Sequence, residues 1–269
     1  DLTERHSFPE WEEMCKVHAD WLINDLPKTE DGGFQHVTTG IPDRNDVILN
    51  DGQLWDDTLF MAVLFLGKMG VRYRNQTWID ESVHQFLVHI EYLYERSTGL
   101  FYHGWTFRGC HNFGGIFWNR GNSWFTYGCI AYLEAMGEAV PAPVRTYILD
   151  VWKHQVEALK NLQNESRLWP TVLDDPDSYE EASGSAAIAA GILFGIRCGL
   201  LDPSYRSVGL KAVEGVIGCI REDGTVDKVS SGTAMGNDKQ HYLDIVIRPM
   251  AYGQSLTSLA LTEALYLAD

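Results

Sequence analysis

Asp56 and Asp57 follow Trp55 at the head of the apolar run Thr58-Leu59-Phe60-Met61. A helix that is apolar all round is packed on every side, so an acid in its first turn loses water and must be satisfied or used. Adjacent helical residues diverge by about 100°, so only one of the two carboxyls can face a given cavity. Burial and like charge raise that carboxyl's pKa, which suits a general acid. The competing reading is complementation of the helix dipole, which any first-turn acid supplies for about 0.3–1 kcal/mol. The residues alone leave both readings open.

Arg120 stands between Trp118 and Trp124 in a Gly121-Asn122 turn ahead of a second apolar run. A buried arginine can simply pair with a core carboxylate. The flanking indoles favour another use, since Trp faces stack on sugar rings and a guanidinium forks onto a carboxylate. Together they would bind an acidic sugar. His103 lies in the aromatic segment Leu100 to Trp105, and His36 follows Gly32-Gly33-Phe34-Gln35. A lone His is more often structural than catalytic, and none stands at metal-ligand spacing from another His or Cys, so no metal site is expected. Glu180 and Glu181 precede Ala182-Ser183-Gly184-Ser185, whose small residues suit close helix packing. No nucleophile elbow and no dinucleotide-binding glycine fingerprint occurs.

Two kinds of helix must position these groups. Amphipathic stripes run through Trp11 to Leu26, Ile79 to Tyr94 and Val144 to Leu159, and Asp202-Pro203 opens another helix. Thr77 with Asp80 predicts a capping box for the second. Between them lie stretches apolar nearly all round: Thr58 to Leu66, Trp124 to Met136, Ser185 to Ile196 and Ser255 to Leu267. These read as an inner layer and the stripes as an outer one, repeating every ~60–70 residues. Long loops, Gly32 to Gly52 and Asp223 to Arg248, join them and are expected to line a site. Short β-ribbons are expected around Leu100 to Trp105 and Gly224 to Val229. Four such pairs leave an open seam where a closed double ring has six. The chain is then an arc, or about two hairpins precede Asp1.

The chain has 269 residues, 45% of them hydrophobic and a net charge of −16, which fits a globular domain and disfavours nucleic acid and anionic membranes as partners. Five widely spaced cysteines predict neither a disulfide framework nor zinc. Asn75-Gln76-Thr77 and Asn164-Glu165-Ser166 are glycosylation sequons, which with the acidic composition lean towards secretion over the cytoplasm. No signal peptide or membrane span is read.

The ordered series Gly32-Gly33-Phe34 with His36, Gln53 with Trp55 and Asp57-Thr58-Leu59-Phe60-Met61, Tyr102-His103-Gly104-Trp105, then Trp118, Arg120-Gly121-Asn122 and Trp124, resembles the unsaturated glucuronyl and rhamnogalacturonyl hydrolases of glycoside hydrolase families 88 and 105. Val172-Leu173-Asp174, Glu181 to Ser183 and Tyr252-Gly253 extend the likeness towards the C-terminus. The resemblance implies an all-α (α/α)6 barrel, a single catalytic domain over 1–269. It implies Asp57 as proton donor and Trp55, His103, Trp118, Arg120, Trp124, Gln53 and His36 as substrate-binding residues. Neither a cofactor nor a metal is implied. The substrate would be a Δ4,5-unsaturated uronyl disaccharide or oligosaccharide, with the rhamnogalacturonan-derived kind the nearer likeness. The family pattern also carries an Asp on an earlier inner helix, a motif absent from this chain, so the domain is expected to be N-terminally incomplete. Two alternatives stand beside this reading. One is a conventional inverting glycosidase, needing a second carboxyl about 6.5–9.5 Å away, for which Asp174 or Glu181 could be invoked. The other is a non-catalytic carbohydrate-binding helical array.

Overall fold

The computed structural model describes residues 8–39 and 47–268, so part of the loop from Gly32 to Gly52 lies outside the described residues. Helices dominate: α1 Pro9–Asn24, α2 Leu64–Tyr73, α3 Gln76–Leu93, α4 Asn119–Met136, α5 Ala142–Leu162, α6 Ala182–Arg197, α7 Arg206–Ile217, the short α8 Lys239–Leu243, and α9 Ala251–Tyr266. Leu59–Val63 forms a π-helical turn that runs into α2. Single π turns inside helices re-aim side chains and are frequent at functional sites. This one begins two residues after Asp57.

The inner layer is built around α6, which packs on α4, α7 and α9. Its small residues set that geometry. A Cβ at Gly191 would lie 2.6 Å from the Thr126 carbonyl oxygen, so only glycine lets the α6 and α4 backbones approach this closely. Both helices are buried along most of their length, as their all-round apolar character predicts. The outer stripes also match: Ile148, Val151, Trp152, Val156 and Leu159 of α5 are buried. Trp152 donates its indole N–H to the Thr126 carbonyl at 2.7 Å, which satisfies its one polar atom in the core.

Three expectations change. The cap of α3 is Asn75, whose side chain accepts from Trp78 N, in place of a Thr77–Asp80 box. The helix after Asp202 opens with a short 3-10 turn at Pro203–Tyr205 before α7. The third concerns α9, which is not buried all round: Gln254, Ser255, Ser258, Leu265 and Tyr266 are exposed because no described helix covers that face.

Three two-stranded ribbons complete the described structure. β1 (Val37–Thr39) pairs with β2 (Val47–Leu49), and β4 (Tyr94–Glu95) pairs with β5 (Leu100–Phe101). β3 (Gln53–Trp55) pairs antiparallel with β6 (Gly104–Thr106), with Trp55 opposite Gly104. The last matters most, because it sets His103 beside the two aspartates. The expected ribbon at Gly224 to Val229 is reduced to a single bridge, Ile220 with Val226.

Candidate active site

The β3–β6 register carries the chain from Trp55 into the inner helix while the Asp56 N–H donates to the His103 carbonyl at 3.0 Å. That bond holds the turn, and the two adjacent carboxyls diverge from it. Asp57 keeps 18% of its side chain exposed, whereas Asp56 is fully buried. Asp57 Oδ1 accepts from the Trp124 indole N–H at 3.0 Å, and Oδ2 lies 3.4 Å from His103 Nε2. His103, itself buried, is fixed on its other side by Nδ1 and the Tyr242 hydroxyl at 2.6 Å. A carboxylate, an imidazole and a phenol thus form a chain from the helix mouth into the core.

Gln53, Trp55 and His36 form one wall. The Trp55 indole donates to Gln53 Oε1 at 2.8 Å, and the His36 ring stacks on the indole at 4.1 Å between centroids. His36 Nδ1 meets the Thr58 hydroxyl at 3.0 Å, which ties this wall to the helix start. Trp124 forms the opposite wall, stacked on Phe60 at 4.8 Å. The three indoles, Trp55, Trp118 and Trp124, are 3%, 1% and 3% exposed, so they shape the Asp57 site rather than offer open stacking platforms. Trp118 is the clearest case: His103 packs on it at 4.4 Å, and the Arg120 guanidinium lies over it at 4.5 Å.

Arg120 is the second departure from expectation. It is 3% exposed and lies between the rings of Trp118 and Tyr252. One terminal nitrogen donates to Ser230 Oγ at 2.6 Å and the Ser230 carbonyl at 3.1 Å, with Glu181 Oε1 and Ser183 Oγ at 3.4 Å. The other donates to the Ser231 carbonyl and to Thr233 Oγ1. A substrate carboxylate would have to share a guanidinium already committed to protein. The partner, Glu181, is fully buried and also caps α6, accepting from Gly184 N at 2.6 Å and Ser230 N at 3.0 Å. The core-carboxylate reading of Arg120 is therefore the one its geometry displays.

Electrostatics divides the aspartates in the opposite sense to that expected. Burial, then the neighbouring Asp57 charge, pushes Asp56 well above the usual carboxylate range. Burial works in the same direction on Asp57, but His103, 3.4 Å from its Oδ2, and the neighbouring His36 outweigh it and hold Asp57 below that range. Burial lowers His103, with Asp57 opposing, and lowers His36 to about 4. The surroundings favour the neutral form of Asp56 and the charged form of Asp57.

Asp56, Asp57 and His103 also bring one ligand atom each within 4.8 Å of one another, a grouping that spacing along the chain did not reveal. Two contributors, Ser230 and Tyr242 on the short α8, were legible only as part of the segment Asp223 to Arg248 expected to line a site. Asn122 could have been found from its place after Gly121. Its side chain clamps Phe101, accepting from its N–H and donating to its carbonyl, both at 2.8 Å, and so braces the His103 segment against α4.

The family model for Glycosyl Hydrolase Family 88 matches residues 1–268. The chain is 31% identical over 259 residues to the unsaturated rhamnogalacturonyl hydrolase YesR of Bacillus subtilis, covering 94% of this chain and 70% of that protein. A possible member of family 105 from Salmonella enterica serovar Paratyphi A superposes with a TM-score of 0.92 at 38% identity, covering all of this chain and 69% of its own. Another from Klebsiella pneumoniae gives 0.91 at 37%, with coverage of 100% and 68%. These structures share the mostly helical architecture. With the family model spanning nearly its whole length, the chain belongs to the glycoside hydrolase family 88 and 105 group, on the unsaturated rhamnogalacturonyl hydrolase side.

Proposed function

We propose that this protein removes a Δ4,5-unsaturated uronic acid from pectin-derived rhamnogalacturonan oligosaccharides by hydrating its vinyl ether. The observation that carries this reading is Asp57, a part-exposed carboxyl at a helix mouth, held by Trp124 and His103 beside a wall of aromatic side chains. The 31% identity to an unsaturated rhamnogalacturonyl hydrolase supports the substrate class.

In this scheme Asp57, once protonated, delivers its proton to C4. The C4=C5 electron pair becomes the new C–H bond and leaves an oxocarbenium-like centre at C5. Water adds at C5 and returns a proton to the Asp57 carboxylate. The resulting hemiketal opens to a C5 ketone, its ring oxygen taking the proton. The hemiacetal so formed at C1 collapses and expels the aglycone. One carboxyl serves as acid and then as base. The uronate's own carboxylate brings a like charge towards Asp57, which raises its pKa on binding. His103 orients Asp57, with Tyr242 behind it. Trp55, Gln53, His36, Trp118 and Trp124 shape the pocket. Arg120 orders the segment Ser230 to Thr233 through its hydrogen bonds and contributes positive potential to the sugar carboxylate. The helical pairs described belong to an (α/α)6 barrel fold, one catalytic domain whose inner-helix mouths carry the site.

An inverting mechanism has no support in its two candidate second acids. Glu181 is committed to Arg120 and the α6 cap, and Asp174 is exposed. Turnover of unsaturated galacturonyl-rhamnose in D2O distinguishes the chemistries. Enzymatic hydration places deuterium on one face of C4 and yields a single epimer at early times. Simple glycosidic cleavage followed by free rearrangement yields both epimers and would overturn the proposal.

A further inference from the structure

The acid beside Asp57 has a property that dipole complementation does not explain. Asp56 is 0% exposed, and neither carboxyl oxygen has a hydrogen-bond partner. Its carboxyl is pressed against the first turn of α4: a Cβ at Gly121 would lie 2.1 Å from Asp56 Oδ2, so glycine there is what makes room for this acid. An ionised carboxylate stripped of water and hydrogen bonds is strongly disfavoured, and such a group neutralises instead. An apolar side chain there would carry no such penalty. The carboxyl is costly as architecture, and one of its oxygens lies within 4.8 Å of an Asp57 oxygen and a His103 ring nitrogen.

We propose that Asp56 is a proton-holding partner of Asp57: the two carboxyls share one proton, which rests on Asp56 and passes to Asp57 for delivery to C4. This deepens the hydrolase reading and rests on it. Asp56 does not touch substrate and acts through Asp57, so it is a positioning residue for the proton. The balance closes within one turnover. The shared proton leaves with C4, both carboxyls are then anionic beside the cationic C5 centre they stabilise, and the proton lost by the attacking water restores the pair.

The groups facing Asp56 agree with this arrangement. Asp57, on the same turn, disfavours a second anion, while burial of His103, from the segment before β6, disfavours its charged form. Arg120, from α4, is the cation among the described residues that acts on Asp56, and its guanidinium is spent on Glu181 and the Ser230 segment. Tyr242, from α8, is pushed well above the usual phenol range by burial, with both aspartates adding to it, and stays protonated throughout.

The pair would titrate with macroscopic values that belong to neither acid alone. In wild type, kcat for the unsaturated disaccharide should hold until the shared proton is lost at the upper value. In Asp56→Asn the proton must sit on Asp57 alone, which its own neighbours keep acidic. The alkaline limb of kcat should then move down by about one pH unit or more, which is about tenfold in rate above it, with KM within about twofold. An unmoved limb in a folded variant overturns the proposal. A second readout depends on neither activity nor the variant's folding. In wild-type protein with 13C-labelled aspartate carboxyls, one signal should remain protonated at neutral pH, and its absence overturns the proposal outright. An inactive wild type that retains the protonated signal would count against the hydrolase reading and leave the proton on Asp56.

Discussion

Two ionic groups occupy neighbouring positions at the mouths of the inner helices, and they differ in how well they are satisfied. Around Glu181 and Arg120 hydrogen bonds run to Ser183, Gly184, Ser230, Ser231 and Thr233, and both charges are sealed from solvent. Around Asp57 the satisfaction is partial: one oxygen has the Trp124 indole, the other lacks a hydrogen-bond partner, and part of the side chain is open. A buried pair with good geometry specifies architecture, because breaking it leaves an uncompensated charge. An incompletely satisfied carboxyl at an opening is available for proton transfer. The contrast separates the residue expected to do chemistry from the residues that hold its surroundings in place.

The largest effect should come from Asp57→Asn. The amide keeps an acceptor for Trp124 but cannot deliver a proton, so kcat should fall by about 10²–10⁴-fold while thermal unfolding moves little. Glu181→Ala should do the reverse, costing about 3–5 kcal/mol of stability because Arg120 is left buried and unpaired. Arg120→Ala should likewise lower the unfolding midpoint as well as weaken substrate binding. A variant that lost affinity with no change in stability would show that the guanidinium serves substrate alone.

Acid sharpens the comparison further. Burial lowers His36 and His89 to about 4, so between pH ~6.5 and about 4 the unfolded chain binds protons that the folded chain refuses. Stability should therefore fall as pH drops through that window, by up to roughly 1.4 kcal/mol per unit for the fully buried His89. Both histidines lie on the Asp57 side of the mouth. Hydrogen exchange at β3 and α3 should rise before exchange at the first turn of α6, and simultaneous loss would merge the two groups into one cooperative unit. The smallest expected effect is that of Tyr242→Phe, which removes the hydroxyl on His103 and should cost about 1 kcal/mol. A drop in kcat with an unchanged KM would mark it as a support of the Asp57 chain.

How far this was legible in the sequence follows from the range of each interaction. The α4 and α6 helices read correctly because burial on all sides leaves an apolar pattern with no polar face. The Asp57 turn and the Arg120 turn were legible because each concentrates charge and indole at the head of such a run. The division of labour between Asp56 and Asp57 was not. It depends on His103, which comes close when β3 pairs with β6, and on Trp124 and Gly121, which come close when α4 packs against the Leu59–Val63 turn. For Arg120, the chain shows the cation and the nearby aromatics but not that Glu181, at the head of another helix, would reach it. The exposed face of α9 escaped notice because an apolar pattern does not say which neighbours are present to cover it.

The central claim is that Asp57 delivers the proton that destroys the C4=C5 double bond. The most direct test follows the ultraviolet absorbance of that conjugated bond when unsaturated galacturonyl-rhamnose is mixed with the protein and with folded Asp57→Asn. The account predicts loss of absorbance with the first and none above background with the second. Equal loss with both, or none with the folded wild-type chain, would contradict it.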